Sequence, residues 1–237
     1  MIQFKPGIAS TIATAVVVPC LVALGFWQLD RAQQKTEIFA HYQARMNAPE
    51  LALQAPLPAS DDLLWRRIRA TGQFVGPNLI LDNRVRNGQV GYEVFTPLIL
   101  ANEARVLVGR GWVAADGRRK PVVSLQIPSA AQTITGRIGP LPWNGIQLGE
   151  PPPPERLSPD LVRVERLDLA SLNSLLHAAL PPYIIMLDPS LPEGYDRAWP
   201  APTSDVGKHR AYAVQWFAMA AVLAIIYLKI NLTHSSP

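Results

Sequence analysis

The chain has 237 residues, 49% of them hydrophobic, with a formal net charge of +4 and a single cysteine. That length allows one domain with a substantial core, and the lone Cys20 excludes an intramolecular disulfide and a cysteine-built zinc site. All eighteen acidic residues and twenty of the twenty-two basic ones lie between positions 30 and 210, so the middle of the chain is almost neutral and does not point to nucleic acid.

Residues 6–29 (PGIASTIATAVVVPCLVALGFWQL) contain no charged side chain, and neither do residues 211–228. A bilayer core takes roughly 20 apolar residues of helix, and in hydrocarbon every backbone polar group must be satisfied internally. Transmembrane helices are therefore predicted over 6–29 and 208–229. The first run is longer than a signal-peptide core and ends in bulky Phe26, Trp27, Gln28 and Leu29, so it reads as a retained anchor. No Arg-rich, acid-poor transit segment precedes it, which favours a bacterial inner membrane over an organelle. Arg31, Lys35, Lys208 and Arg210 flank the spans on the inner side of the hairpin, against Lys5 and Lys229 outside it. Counted literally, this places the middle of the chain in the cytoplasm, but long loops translocate largely regardless of charge, so charge leaves the orientation open.

The segment 30–46 lacks Pro and Gly and reads as a polar helical extension of the first span. A Pro-rich connector follows, in which Asp61 and Asp62 read as solvated charge. The region 47–207 is then strand-rich. Strands are predicted at Ile68–Val75, Leu79–Val85, Tyr92–Leu100, Arg105–Val113, Gln132–Gly139, Leu161–Leu167 and Tyr183–Leu187, punctuated by turn residues such as Asn87-Gly88. Pro97 inside the third implies an edge or a bulge. Pro140–Pro159 reads as a loop. Asp168 is a candidate N-cap for a short helix through His177. The spacing predicts an antiparallel sheet curled into a barrel or sandwich between the two spans, an α+β extramembrane domain.

No Gly-rich phosphate loop, zinc-binding His pair or Gly-x-Ser-x-Gly elbow is present. His41, His177, His209 and His234 are scattered. Nothing in the middle domain forms a catalytic constellation, so binding, scaffolding or delivery is expected instead of turnover. Two groups at the membrane boundary stand out. His209, Tyr212 and Trp216 share one helix face, because i, i+3 and i+7 stack. A neutral imidazole at the end of such an aromatic stripe can ligate a haem iron, although Tyr and Trp also serve as interface anchors. Gln28, Arg31 and Lys35 form a second stripe, with Trp27 one turn from Arg31 and within cation–π reach. That stripe can bind lipid phosphates or haem propionates, or can be an ordinary snorkelling Arg beside an anchoring Trp.

Read in order, Leu24-Gly-x-Trp27-Gln28-x-x-Arg31, Gly72-x-Phe74, Leu81-Asp82-Asn83-Arg84, Gly91-Tyr92, Thr96-Pro97-Leu98, Arg110-Gly111-Trp112-Val113 and His209-x-x-Tyr212 with Trp216 resemble the surfeit locus protein 1 family of cytochrome c oxidase assembly factors. Gly109 departs from the family pattern, where Asn is expected ahead of Arg-Gly-Trp. The resemblance implies a two-span protein whose central domain faces the periplasm, which overrules the literal charge count. It also implies a non-enzymatic role in maturing the oxidase, with oxidase subunit I and haem a synthase as partners. Haem a is the implied cofactor, held or handed on, with His209 as iron ligand and Tyr212, Trp216, Trp27, Gln28 and Arg31 around it. The alternatives are a scaffold acting by protein contacts alone, and a two-span sensor with an extracytoplasmic ligand domain. Gly72, Gly91 and Gly111 read as structural positions at bulges or close approaches.

Overall fold

The computed structural model describes residues 2–54, 56–57, 63–101, 103–142, 152–192, 194–202 and 205–234. Asp61, Asp62 and residues 143–151 of the predicted Pro140–Pro159 loop lie outside the described residues. The chain divides into two units: Met1–Gln43 with Ala201–Pro237, and Ala44–Pro200.

The first unit is a pair of apolar helices. Helix α1 begins at Ile8 and continues unbroken to Asn47, so the first span and its polar extension are one element. Pro19 lies within it, tolerable in a spanning helix because neighbouring groups re-satisfy the freed carbonyl. Helix α3 covers Val206–Asn231. Both are long and apolar enough to cross a membrane, and only 6% and 11% of their most apolar windows are buried within the protein. Their side chains are therefore left for lipid. The residues that are buried are small or amide-bearing: Gly25, Gln28 and Ala32 on α1, and Ala213, Ala220 and Asn231 on α3. Small residues let helices approach, and amides bridge them where water is absent. At one end of the pair, Asn231 is 2% exposed. Its Oδ1 accepts the Gly7 amide at 2.9 Å, while the Thr11 hydroxyl meets the Tyr227 hydroxyl at 2.9 Å. Two short strands, β1 (Ile2–Phe4) and β11 (Leu232–His234), pair antiparallel beside this clamp.

The second unit follows the alternation of its sequence. Its strands are β2 (Leu51–Ala52), β3 (Arg67–Phe74), β4 (Asn78–Arg86), β5 (Gln89–Leu100), β6 (Arg105–Ala114), β7 (Ala131–Pro140), β8 (Glu155–Ser158), β9 (Leu161–Val164) and β10 (Tyr183–Leu187). Their order is β2-β3-β7-β10-β6-β5-β4-β9-β8, and β3 also pairs with β5. That extra pairing closes β3, β7, β10, β6 and β5 into a small barrel. Every second residue of those strands points inward, and Ile68, Ala70, Leu98, Val108, Ile134 and Ile185 are among those forming its core. A second core lies on the outer face, where Leu79, Phe95, Val162 and Ile184 pack under the short helix α2 (Leu169–Leu176) through Leu172 and Leu176.

The sheet is mainly antiparallel, but β10–β6, β4–β9 and β2–β3 are parallel. Pro97 sits where β5 exchanges one neighbour for another: β4 pairs through Phe95, and β3 begins at Leu98. A residue without an N–H suits that handover. Two expectations are corrected. The predicted Pro140–Pro159 loop contains β8, whose alternation is invisible because all four residues are exposed. The predicted strand to Leu167 stops at Val164, since Leu167 turns into the core beneath α2.

Asp168 caps α2, its Oδ1 accepting the Ser171 amide at 2.9 Å. That backbone hydrogen bond, with Arg166 nearby, holds its carboxyl below the ordinary range. Asp168→Ala is expected to cost about 1 kcal/mol, the usual worth of an N-cap. The sign follows from linkage: a depressed carboxyl stabilises fully above its unfolded value of about 3.9 and loses that contribution as pH falls through the lowered value. The wild type should therefore lose part of its margin over the variant below about pH 4. Urea unfolding of both proteins across the acid range measures this, and parallel pH profiles would refute the cap.

Candidate functional site

Two of the motifs lie at bulges of the sheet. Leu81 pairs with Glu93 and Arg84 with Gly91, so Asp82 and Asn83 together oppose Tyr92, and Asn83 adopts a φ of 57°. On β6, Arg110 is the inserted residue between Gly109 and Gly111. The Trp112 indole donates to the Arg84 carbonyl at 2.8 Å, joining the two bulges. The Arg86 guanidinium stacks 5.7 Å from the Trp112 ring and pairs with Asp196 at 2.8 Å. Arg110 is buried between the rings of Phe74 and Tyr195, 5.5 and 5.2 Å away, and donates to the Gln126 carbonyl at 2.7 Å. Burial pushes the Glu93 carboxyl up, opposed by Arg84 and Arg86. Burial likewise pushes the Tyr183 hydroxyl, inside the barrel, up to about 12. These groups fasten strands and loops to one another. Among the described residues, no cluster of three or more His, Cys, Asp or Glu side chains could hold a metal ion.

This unit also presents open surfaces. At the tip of the β4–β5 hairpin, Val85 and Val90 face each other and are 64% and 49% exposed. A cleft of about 600 Å³ is lined by Arg118, Arg119, Lys120 and Arg163 together with Glu155 and Asp160. The cleft was not read from the sequence, because its charges come from three separate segments and only the fold collects them.

In the helix pair, the sequence-predicted residues fall into three groups. Gln28 and His209 come together: the imidazole Nδ1 lies 2.7 Å from the Gln28 Oε1, across 181 positions of sequence. Trp27 and Arg31 stay with each other, the guanidinium 5.6 Å from the indole centroid, and Arg31 also donates to Gln34 Oε1 at 2.9 Å. Tyr212 and Trp216 follow His209 along α3, Tyr212 exposed and Trp216 half-buried. The expected Gln28–Arg31–Lys35 stripe is thus divided, with Gln28 buried, Lys35 half-buried and Arg31 exposed. A lone uncharged amide between Gly25 and Ala32 was the signal for a helix contact. Its spacing of 25, 28 and 32 marks a buried seam. His41 and His177 are exposed, His41 further along α1 than Gln28 and His177 at the C-terminal cap of α2. Chemically, the arrangement offers one imidazole with a ring nitrogen committed to an amide oxygen and the other nitrogen without a partner among the described residues.

The SURF1 family model matches residues 15–221, which contain both bulges and the Gln28–His209 pair. A SURF1-like protein of Rickettsia felis is 26% identical over 237 residues, covering 92% of this chain and 95% of its own length. An uncharacterized SURF1-like protein of Mycobacterium tuberculosis is 29% identical over 133 residues, 54% of this chain and 49% of that protein. The cytochrome oxidase assembly protein SHY1 of Saccharomyces cerevisiae is 31% identical over 101 residues, 39% of this chain and 25% of its own length. With the match running from within α1 through the barrel and into α3, this chain belongs to the SURF1 family.

Proposed function

We propose that this protein is an assembly factor for haem-a-containing cytochrome c oxidase, and that it binds haem a through His209 at the membrane interface and aids its delivery to subunit I. The family and the similarity to a yeast protein named for oxidase assembly support the first part. The observation that carries the second is the His209 Nδ1–Gln28 Oε1 bond of 2.7 Å. The residues fit the group: one imidazole nitrogen is left that would serve as a donor to the iron, and Tyr212 and Trp216, on its helix face by spacing, would offer aromatic surface to the ring. When bound, haem a would supply an iron that accepts that nitrogen. Trp27 and Arg31 would stand near the headgroups, where a guanidinium can meet a propionate. On this reading the chain sits in a bacterial inner membrane with its barrel in the periplasm, beside haem a synthase and subunit I, and it performs ligation and hand-over without turnover.

The test is the visible spectrum of the protein purified from cells making haem a, compared with His209→Ala. A haem a spectrum present in the wild type and lost in the variant, with a parallel fall in oxidase haem content, is the expected result. The exposed Val85–Val90 pair favours a second reading, a scaffold that holds an assembly intermediate by protein contact. On that reading Val85→Glu with Val90→Glu lowers oxidase assembly, whereas His209→Ala changes neither pigment nor oxidase haem.

A further inference from the structure

We infer that Gln28 is a positioning residue, whose side-chain carbonyl takes the Nδ1 proton of His209, fixes the ring in one tautomer and leaves Nε2 as its single donor atom. This rests on the reading of His209 as a ligand. A neutral imidazole carries one N–H and one lone pair, and which nitrogen holds the proton is set by the bond the other group makes. An amide oxygen can only accept, so a 2.7 Å contact to Oε1 requires Nδ1 to donate. The distance is at the short end for an N–H···O bond.

The surroundings make the bond matter. Gln28 is 9% exposed; the other buried residues of its helix are Gly25 and Ala32, and Ala213 is the buried residue one turn beyond His209 on α3. None of these side chains can replace the hydrogen bond, and water has little access. Loss of the bond would leave a buried carbonyl unpaired and the ring free to turn. A carboxylate at position 28 would also hold the proton but would bury a charge, whereas the amide keeps the site neutral. Arg31 and Trp27, bonded to Gln34 and to each other, are not needed for this role. In metal sites, a histidine's outer hydrogen-bond partner fixes ring orientation, and its removal typically costs 10–100-fold in affinity.

The experiment uses the full chain, labelled with ¹⁵N-histidine, in detergent micelles at a pH where the imidazole is neutral. The His209 resonances are assigned by their absence in His209→Ala. Long-range proton–nitrogen correlations tell the protonated nitrogen from the bare one. The expected result is an Nδ1-protonated ring in the wild type, mixed tautomers in Gln28→Leu and a restored Nδ1–H in Gln28→Glu. Titration of the same proteins with haem a should give a Kd about 10–100-fold higher for Gln28→Leu, with recovery in Gln28→Glu. A wild-type ring protonated at Nε2 overturns the inference, even if Gln28→Leu fails to fold. So does a Gln28→Leu protein with unchanged tautomer and Kd. An Nδ1-protonated wild type that binds no haem a sinks the ligand reading alone, and Gln28 then still orients the ring.

Discussion

Gly72→Val is expected to destabilise the barrel by about 3 kcal/mol, the upper end of what overpacking costs in a closed core. A Cβ at position 72 would lie 2.2 Å from the Ile99 carbonyl oxygen and 3.0 Å from its carbon. Both are backbone atoms of β5 and cannot swing aside as a side-chain tip can. The seam they belong to is narrow. Strands β3 and β5 pair through Gly72–Leu100, Gln73–Ile99 and Phe74–Leu98, with the Val75 amide donating to the Pro97 carbonyl at 2.9 Å just beyond, and this seam is what closes the barrel. Phe74 also carries one face of the buried Arg110 guanidinium, so a displaced β3 disturbs the β6 bulge as well. Gly117 is the control, since a Cβ there meets nothing within 4 Å, and Gly117→Val should stay within about 0.5 kcal/mol of wild type. Denaturant unfolding of the full chain, followed by tryptophan fluorescence, compares the two. Equal midpoints would mean that the β3–β5 seam does not hold the domain together.

The sequence made the strands legible wherever one face is buried. Arg67–Phe74 alternates exposed and buried without exception, and Tyr183–Leu187 was bounded by Pro182 on one side and Asp188 on the other. Asn87-Gly88 marked its hairpin because both residues take positive φ, 50° and 77°. A barrel or sandwich was expected, but that β3 and β5 close it was not legible, because Gly72 and Leu100 meet only through the twist of the strands between them. Nor was β8, whose exposed residues follow Pro154 and carry no apolar period. The site was half legible. His209, Tyr212 and Trp216 could be placed on one face by spacing alone, whereas the partner of His209 lies 181 residues away. Gln28 was grouped with Arg31 and Lys35 because helical spacing says which residues share a face but not which part of that face meets another helix.

The two bulges show how a motif can be structural while looking functional. Leu81-Asp82-Asn83-Arg84 and Arg110-Gly111-Trp112-Val113 hold polar and charged groups that, in an unfolded list, resemble a site. In the fold, Asp82 pairs with Arg119 and accepts the Asn83 amide, and Trp112 donates to Arg84. Their hydrogen-bonding capacity is used in shaping the sheet. The Gln28–His209 pair differs, because one ring nitrogen remains for a ligand after the structural bond is made.

That difference predicts a second large effect, at a residue that touches neither partner. If His209 ligates haem a as proposed, Gly25→Val is expected to raise the Kd for haem a at least about 10-fold, as loss of the Gln28 bond would, and to lower oxidase haem content. A Cβ at position 25 would sit 2.5 Å from the Phe217 ring. The ring is also held edge-on to Phe26 at 5.4 Å, so turning away forfeits that contact. The larger side chain therefore pushes the helices apart just where small residues let them meet. Gln28 is one turn further along the same buried face. A separation of about 1 Å carries a 2.7 Å bond beyond hydrogen-bonding distance. Phe217→Ala in the Gly25→Val background removes the obstructing ring and should restore both the Nδ1–H tautomer of His209 and the affinity. If Gly25→Val binds haem a as tightly as wild type, the helix seam does not set the imidazole. If the double variant stays defective, the loss was not steric, and the route from Gly25 through Phe217 to His209 is wrong.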